Sequence, residues 1–208
     1  MIGMFVAWLA PAWAADVGLG ANLLGMGGVG AAASRDNAAI SLNPGLIGIH
    51  PRYDFQAQFR YGPQGGLQWG LSAMDGRTSK KVAVGISYTG DHLDPELREN
   101  ELPGWTETGV EVTNVKRLHD FAGAIGMPLL DRKLSIGIVT NVGLFNNDRQ
   151  GKGWTFDMGA GIGFRPIDAV TLGVGARNVL AVSEDDRPPA VRGGVRVEAD
   201  QILAVEAN

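Results

Sequence analysis

Apolar and polar residues alternate with a period of two through most of the chain beyond residue 51. The stretch RYDFQAQFRY (52–61) places aromatic residues on one face and the polar residues Gln56, Gln58 and Arg60 on the other. The stretch WTFDMGAGIGF (154–164) alternates in the same way. This period is typical of β-strands whose two faces meet different surroundings.

The alternation predicts about nine strands of roughly 9–12 residues, the length that crosses a bilayer when the strand is tilted. The predicted strands cover 52–61, 66–74, 81–89, 117–126, 133–145, 154–164, 169–178, 190–199 and 201–207. Short links alternate with longer or more polar ones, as in outer-membrane barrels. Aromatic residues near predicted strand ends would form an interfacial girdle: Tyr53, Tyr61, Tyr88, Trp154 and Phe164.

Small and polar residues share one face of the predicted strands, and large apolar residues occupy the other. A membrane barrel places its apolar face outward and its polar face toward the lumen. We therefore expect a set of lumen-facing residues, namely Gln56, Gln58, Arg60, Asp157, Gly159 and Gly161. A soluble β-sandwich or soluble barrel also alternates, so the pattern leaves that architecture open.

The first residues, MIGMFVAWLAPAWAAD, combine an apolar run with an Ala-Trp-Ala step at 12–14. This pattern predicts a secretory signal peptide over 1–14, although the region before the run has no Lys or Arg. A buried N-terminal helix is the alternative. The chain has no cysteine and a net charge of −4, so an exported protein would depend on packing or closed hydrogen bonding, and nucleic acid is not an expected partner.

Glycine is unusually frequent, with 31 residues in the chain of 208, and some of it forms G-x-G-x-x-G at 25–30. That spacing alone does not predict dinucleotide binding, because no buried strand precedes it and no acidic residue follows at the required distance. The Ala-rich stretch 30–42 predicts a helix that ends before Pro44. The glycines would let this part of the chain pass close to strand backbones.

Two stretches carry a resemblance to a known family. LGMGGVGAAASRDNAAISLNPGLIG (24–48) resembles the N-terminal plug of FadL/TodX-type outer-membrane transporters and of the related PorV-like barrels. FDMGAGIGFRPIDAVTLGVGARNVL (156–180) resembles a strand–turn–strand unit of the same family. The turn at 43–45 is one residue shorter than the family's, and the family's barrels are longer. We therefore expect a fragment or a shortened relative.

The resemblance implies an all-β fold, an antiparallel transmembrane β-barrel of about eight to ten strands or part of a larger barrel, with a short N-terminal plug helix. The expected organisation is a signal peptide (1–14), a plug segment (15–51) and barrel strands (52–208). The residues expected to shape or gate the plug are Gly25, Gly27, Gly28, Asn43 and Pro44. The expected location is the bacterial outer membrane.

The function that follows from the resemblance is passive transport of hydrophobic small molecules such as long-chain fatty acids. Expected partners are outer-membrane lipid and a hydrophobic ligand or detergent. PorV-like relatives imply a different role, an interaction barrel that binds a secreted protein without uptake. A soluble periplasmic β-protein is the third alternative.

No catalytic constellation, metal site or cofactor site is expected from the sequence. The three histidines, His50, His92 and His119, have no metal-ligand spacing, and no G-x-S-x-G or complete Walker motif occurs. An enzyme is therefore not predicted.

Overall fold

The protein is described here by a computed structural model that covers residues 31–32, 34–61, 67–93, 116–147, 151–183, 189–198 and 202–207. Its nine strands are β1 (Tyr53–Tyr61), β2 (Leu67–Asp75), β3 (Ala83–Leu93), β4 (Lys116–Leu129), β5 (Leu134–Asn147), β6 (Gly151–Ile167), β7 (Val170–Ser183), β8 (Ala190–Glu198) and β9 (Ile202–Ala207). The predicted signal peptide, 1–14, lies outside the described residues.

The strands form one sheet in sequence order, from β1 to β9, and every neighbouring pair is antiparallel. Each strand falls on a segment whose period of two predicted it. The prediction of a mostly antiparallel β architecture is therefore confirmed. Three short links join β2 to β3, β4 to β5 and β6 to β7, and we call this side of the sheet the short-turn end.

The prediction of a closed barrel is wrong for these nine strands, because β1 and β9 are the two edges of an open sheet. The physical reason lies in what the sheet encloses. A barrel of about eight strands has an interior that side chains alone fill. A sheet that curves around a helical segment needs a larger radius, so nine strands do not bring its edges together.

Two short helices replace the single helix that was predicted over 30–42. They are α1 (Ala39–Leu42) and α2 (Gly45–Ile49). Residues 34–38 are not helical, because Asp36 Oδ1 accepts a hydrogen bond from the Ala38 amide at 3.1 Å and holds a local turn. Helix α1 ends before Pro44 as predicted, because Asn43 leaves the α region with a φ of −155°. Pro44, with a φ of −61°, is then the N-cap of a second helix, α2, which was not predicted.

The hydrophobic core lies between these helices and one face of the sheet, which we call the inner face. Ile40, Leu46, Ile47 and Ile49 are buried there against the strands, together with Val139 of β5. None of the helices within the described ranges is long and apolar enough to span a membrane. The core is thus built by residues 34–51, which we call the inner segment, and by the strand residues beneath it.

The opposite, outer face of the sheet is apolar and exposed. Phe55 is 71% exposed, Ile86 65% and Ile138 50%, and similar side chains occur on each strand from β1 to β8. On the inner face of the same strands lie glycine, serine, threonine and charged residues. The sheet therefore has its large apolar side chains on the surface, the reverse of a soluble β-protein.

Candidate functional site

A row of four glycines crosses the inner face of the sheet from β4 to β7. Gly126 pairs with Gly137, Gly137 with Gly161, and Gly161 with Gly175, each directly opposite the next. All four are buried. Because none has a side chain, this glycine row leaves a strip of bare backbone on which another chain can lie closely.

The Asn43-Pro44-Gly45 turn of the inner segment lies on the glycine row. A Cβ atom placed on Gly161 would overlap Asn43 Oδ1, and one placed on Gly137 would overlap the carbonyl carbon of Pro44. The fit is mutual, since a Cβ on Gly45 would lie 2.7 Å from the Gly161 carbonyl oxygen. Backbone therefore meets backbone at Gly137 and Gly45, whereas the Asn43 side chain lies on the bare backbone of Gly161. No other residue type fits these three glycine positions without movement.

Asn43 fixes the turn through its side chain and is fully buried. Its Nδ2 donates hydrogen bonds to the carbonyl oxygens of Ala31 at 2.6 Å and Ile162 at 3.1 Å. Its Oδ1 accepts a hydrogen bond from the Gly45 amide at 3.1 Å. Both donor hydrogens and the acceptor are thus used. An aspartate in this position would place a carboxylate against two carbonyl oxygens.

A second polar attachment joins the inner segment to the short-turn end. Arg132 donates from Nη1 to the Gly48 carbonyl at 3.0 Å and from Nη2 to the Ser79 carbonyl at 2.9 Å. Arg132 belongs to a turn in which Leu130, Asp131 and Arg132 all have positive φ, between 48° and 67°. Such conformations are unfavourable for residues other than glycine. The two hydrogen bonds help to compensate this cost.

The predicted lumen residues of β1 lie on the inner face but do not all meet the inner segment. Gln56 and Gln58 border a small polar cavity of about 10 Å³ that Asn37 and Ser41 also line. Asn37 additionally donates a hydrogen bond to Ser72 Oγ at 2.9 Å. Arg60 lies on the same face near the C-terminal end of β1 and is exposed.

The predicted residues of β6 have separate neighbours. Asp157 accepts a 2.6 Å hydrogen bond from Asn141 Nδ2, above the glycine row. A Cβ on Gly159 would lie 2.8 Å from the Ala176 carbonyl oxygen, so Gly159 accommodates the adjoining strand and not the inner segment. Of these residues, only Gly161 contacts Asn43 and Pro44. The predicted plug glycines, Gly25, Gly27 and Gly28, lie outside the described residues.

Sequence reasoning missed Gly126, Gly137 and Gly175, which complete the glycine row. The signal was present, because each falls on the polar face of its predicted strand. The residue pattern of one strand does not give its register with the next strand, and it is this register that places the glycines opposite one another. Arg132 was also missed, since nothing in the turn sequence indicates which carbonyls it reaches.

His50 lies at the end of the inner segment, and the charges of four arginines act on it. Burial, and then the charges of Arg35, Arg165, Arg52 and Arg196, lower the pKa of His50 to about 3. Burial and the other three arginines also lower the pKa of Arg35 to about 10. His50 is therefore neutral near pH 7.

Comparison with known protein families, curated proteins and solved structures finds no match to this chain. The resemblance to FadL/TodX-type and PorV-like barrels therefore stays a prediction from the sequence.

Substitution of Gly161 by alanine should push the Asn43 turn off the glycine row. We expect it to lower the free energy of unfolding by about 1–3 kcal/mol, the usual cost of overpacking. The measurement is urea unfolding of the folded chain in a neutral detergent, with limited proteolysis to detect release of residues 34–51. The matched control is Gly123→Ala on the outer face, where the nearest atom to a new Cβ is 3.8 Å away. Equal effects of the two substitutions would contradict the close fit at Gly161.

The depressed pKa of His50 predicts a loss of stability on acidification. Between its ordinary value of 6.5 and about 3, the unfolded chain takes up a proton that the folded chain does not, so stability falls as pH falls through this range. Comparing wild type with His50→Gln isolates this contribution from those of the carboxylates. We expect the wild type to lose more free energy of unfolding than the variant between pH 7 and pH 4. Parallel pH profiles would show that His50 does not contribute.

Proposed function

We propose that this protein is part of the wall and plug of an outer-membrane β-barrel that passes hydrophobic small molecules. The observation that carries the proposal is the inverted distribution of side chains. Apolar residues cover the outer face, and small or polar residues cover the inner face. That is the arrangement of a barrel whose outside meets lipid.

The extent of the apolar face is what argues for lipid. Soluble monomers rarely expose a contiguous apolar patch of more than a few hundred Å². Here large apolar side chains are exposed on eight successive strands, including Phe59 at 72%, Leu144 at 47% and Val195 at 42%. Contact of such a face with hydrocarbon has no free-energy cost, whereas exposure of the same apolar area to water is unfavourable.

A membrane location also requires partners for β1 and β9. Unpaired backbone groups at a sheet edge cost several kcal/mol each in hydrocarbon, about the cost of burying any unsatisfied amide. The proposal therefore includes further strands, beyond the nine described, that pair with both edges and complete the barrel. The curvature around the inner segment agrees with a circumference larger than nine strands.

The inner segment would act as the plug. It closes the concave side of the sheet through the glycine row, Asn43 and the two hydrogen bonds of Arg132. At Gly137 and Gly45 this contact is backbone against backbone, and at Gly161 it includes the Asn43 side chain. In this proposal the inner segment moves as a unit and opens a path for the ligand.

An apolar groove on the outer face offers a surface for acyl chains. It has a volume of about 450 Å³ and is lined by large residues of β1 to β5, among them Phe55, Leu71, Ile86, Phe121 and Val142. Its lining supports contact with lipid or with a hydrophobic ligand.

The second candidate is an interaction barrel of the PorV-like kind, which holds a secreted protein and does not transport. A specific observation favours it. Within the described residues, the cavity between the inner segment and β1 to β3 is about 10 Å³ and polar, with Gln56, Ser72 and Thr89 in its lining. A closed polar interior suits a permanent plug better than a path for fatty acids.

A charge in the middle of the outer face should be costly if that face meets lipid. We expect Ile138→Arg to lower the free energy of unfolding in vesicles by about 2–4 kcal/mol, the depth-dependent cost at a bilayer midplane. The matched control is Asn146→Arg, on the same face of β5 near its end, with an expected cost of about 0–1 kcal/mol. Equal tolerance of both substitutions, with a soluble protein that lacks heat-modifiable gel mobility, would favour the soluble alternative.

Locking the inner segment should stop uptake. The chain has no cysteine, so Gly48→Cys with Ser135→Cys introduces the only pair. A Cβ on Gly48 would lie 3.1 Å from that of Ser135, slightly below the separation of about 3.5–4.5 Å found in disulfides. We expect vesicles with the oxidised variant to take up labelled long-chain fatty acid no faster than empty vesicles, and reduction to restore uptake.

Two outcomes would count against transport. Wild-type vesicles that are no faster than empty ones would reject uptake and leave the interaction barrel. Equal uptake by oxidised and reduced variants would show that the inner segment is not the gate. The single variants Gly48→Cys and Ser135→Cys, which form no internal disulfide, control for the substitutions themselves.

A further inference from the structure

A second apolar groove lies on the outer face where β1, β2 and β3 reach the short-turn end, and we call it the end groove. Its volume is about 460 Å³, within the range of about 300–1,000 Å³ that is usual for ligand sites. Its lining includes Tyr53, Phe55, Ala73, Val84 and Ile86. Tyr53 is 62% exposed and Ile86 65%, so the groove offers large apolar side chains that the described residues leave uncovered.

The β2–β3 link (76–82) is hydrogen-bonded to the rim of the end groove. Tyr53 and Asp75 both belong to the groove lining. The Tyr53 hydroxyl and Thr78 Oγ1 share a hydrogen bond of 2.6 Å. Asp75 Oδ1 accepts hydrogen bonds from the amides of Arg77 and Thr78, each at 2.9 Å. The link is therefore held directly at the end of the groove.

The link brings a positive excess to this position. It contains Arg77, Lys80 and Lys81, all exposed, and no carboxylate of its own. No ion pair joins these three side chains to a carboxylate within the described ranges. Two carboxylates line the groove, but Asp54 has an ion pair of its own at 3.2 Å, and Asp75 already accepts two amides of the link. Three positive charges thus face one engaged carboxylate, although the whole chain has a net charge of −4.

We propose that the end groove and the β2–β3 link together bind one phospholipid with an anionic headgroup of the phosphatidylglycerol type. An acyl chain would lie in the groove against Phe55 and Ile86, and the headgroup phosphate would meet the cations of the link. Charge complementarity selects the headgroup, because basic side chains beside an apolar surface attract anionic lipid. The apolar groove selects a lipid over a free anion.

This inference rests on the membrane location proposed above and names one lipid that the outer face would hold. It depends neither on transport nor on the interaction role. Short turns of outer-membrane barrels lie on the periplasmic side, so the lipid would belong to the periplasmic leaflet. Tyr53 fits that level, since its ring lines the groove and its hydroxyl bonds to the polar link.

The headgroup is tested by comparing two lipids on the folded full chain in neutral detergent. Native mass spectrometry with increasing lipid gives the Kd of the first molecule bound, for phosphatidylglycerol and for phosphatidylcholine with the same acyl chains. We expect the wild type to prefer phosphatidylglycerol. Lys81→Gln should weaken its binding by about fivefold, and Lys80→Gln with Lys81→Gln by about 25-fold, with phosphatidylcholine unaffected. High salt should reduce the same preference.

Lys152→Gln is the matched control for charge. It removes one lysine from an exposed position near the start of β6, at the opposite end of the sheet. We expect it to bind both lipids as the wild type does.

The acyl chain is tested by filling the groove. Ala73→Trp places a large ring in the end groove and should weaken the binding of both lipids to the same degree. Ala57→Trp is the matched control, since Ala57 lies on the outer face of β1 but not in the groove lining. The lysine variants change only exposed positions, so they test the headgroup even if Ala73→Trp does not fold.

Three results would overturn the inference. They are equal affinity of the wild type for the two lipids, an equal loss in Lys81→Gln and Lys152→Gln, and binding of phosphatidylglycerol that a folded Ala73→Trp does not weaken. Insertion into phosphatidylcholine vesicles, read from heat-modifiable gel mobility, is measured separately. A chain that inserts without preferring phosphatidylglycerol overturns this inference alone, whereas a chain that does not insert rejects the membrane location itself.

Discussion

The close approach of the Asn43-Pro44-Gly45 turn to the glycine row is the contact on which the rest of the structure depends. At Gly137 and Gly161 the sheet offers bare backbone, and Gly45 offers bare backbone in return. This permits α1 and α2 to bury their apolar residues directly against the strands. The sheet that carries this contact remains open at both edges, β1 and β9.

The glycine row also explains the unequal faces of the strands. Strand residues beneath the helices must have small side chains. The large apolar residues on this side of the sheet therefore belong mainly to the inner segment. The outer face has no such limit and holds the bulky residues. The lipid environment that we propose would suit a sheet with this division. Its packing and its proposed environment therefore follow from one geometric requirement.

Charged residues are unevenly distributed along the inner face. The glycine row and its neighbours are nearly uncharged, whereas the short-turn end collects four arginines and a neutral histidine. Arg132 connects the two regions by holding the Gly48 carbonyl just before His50.

The sequence by itself determined the strands, because alternation with a period of two is a local property that each strand displays. It also indicated small residues on one face, of which Gly161 is the clearest example. Tertiary structure alone decided that Gly126, Gly137, Gly161 and Gly175 are neighbours, since register depends on pairing between strands. It likewise decided that α2 begins after Pro44, that the sheet stays open, and that arginines over 160 residues apart in the chain surround one histidine. These features depend on contacts between distant residues, which a local pattern does not encode.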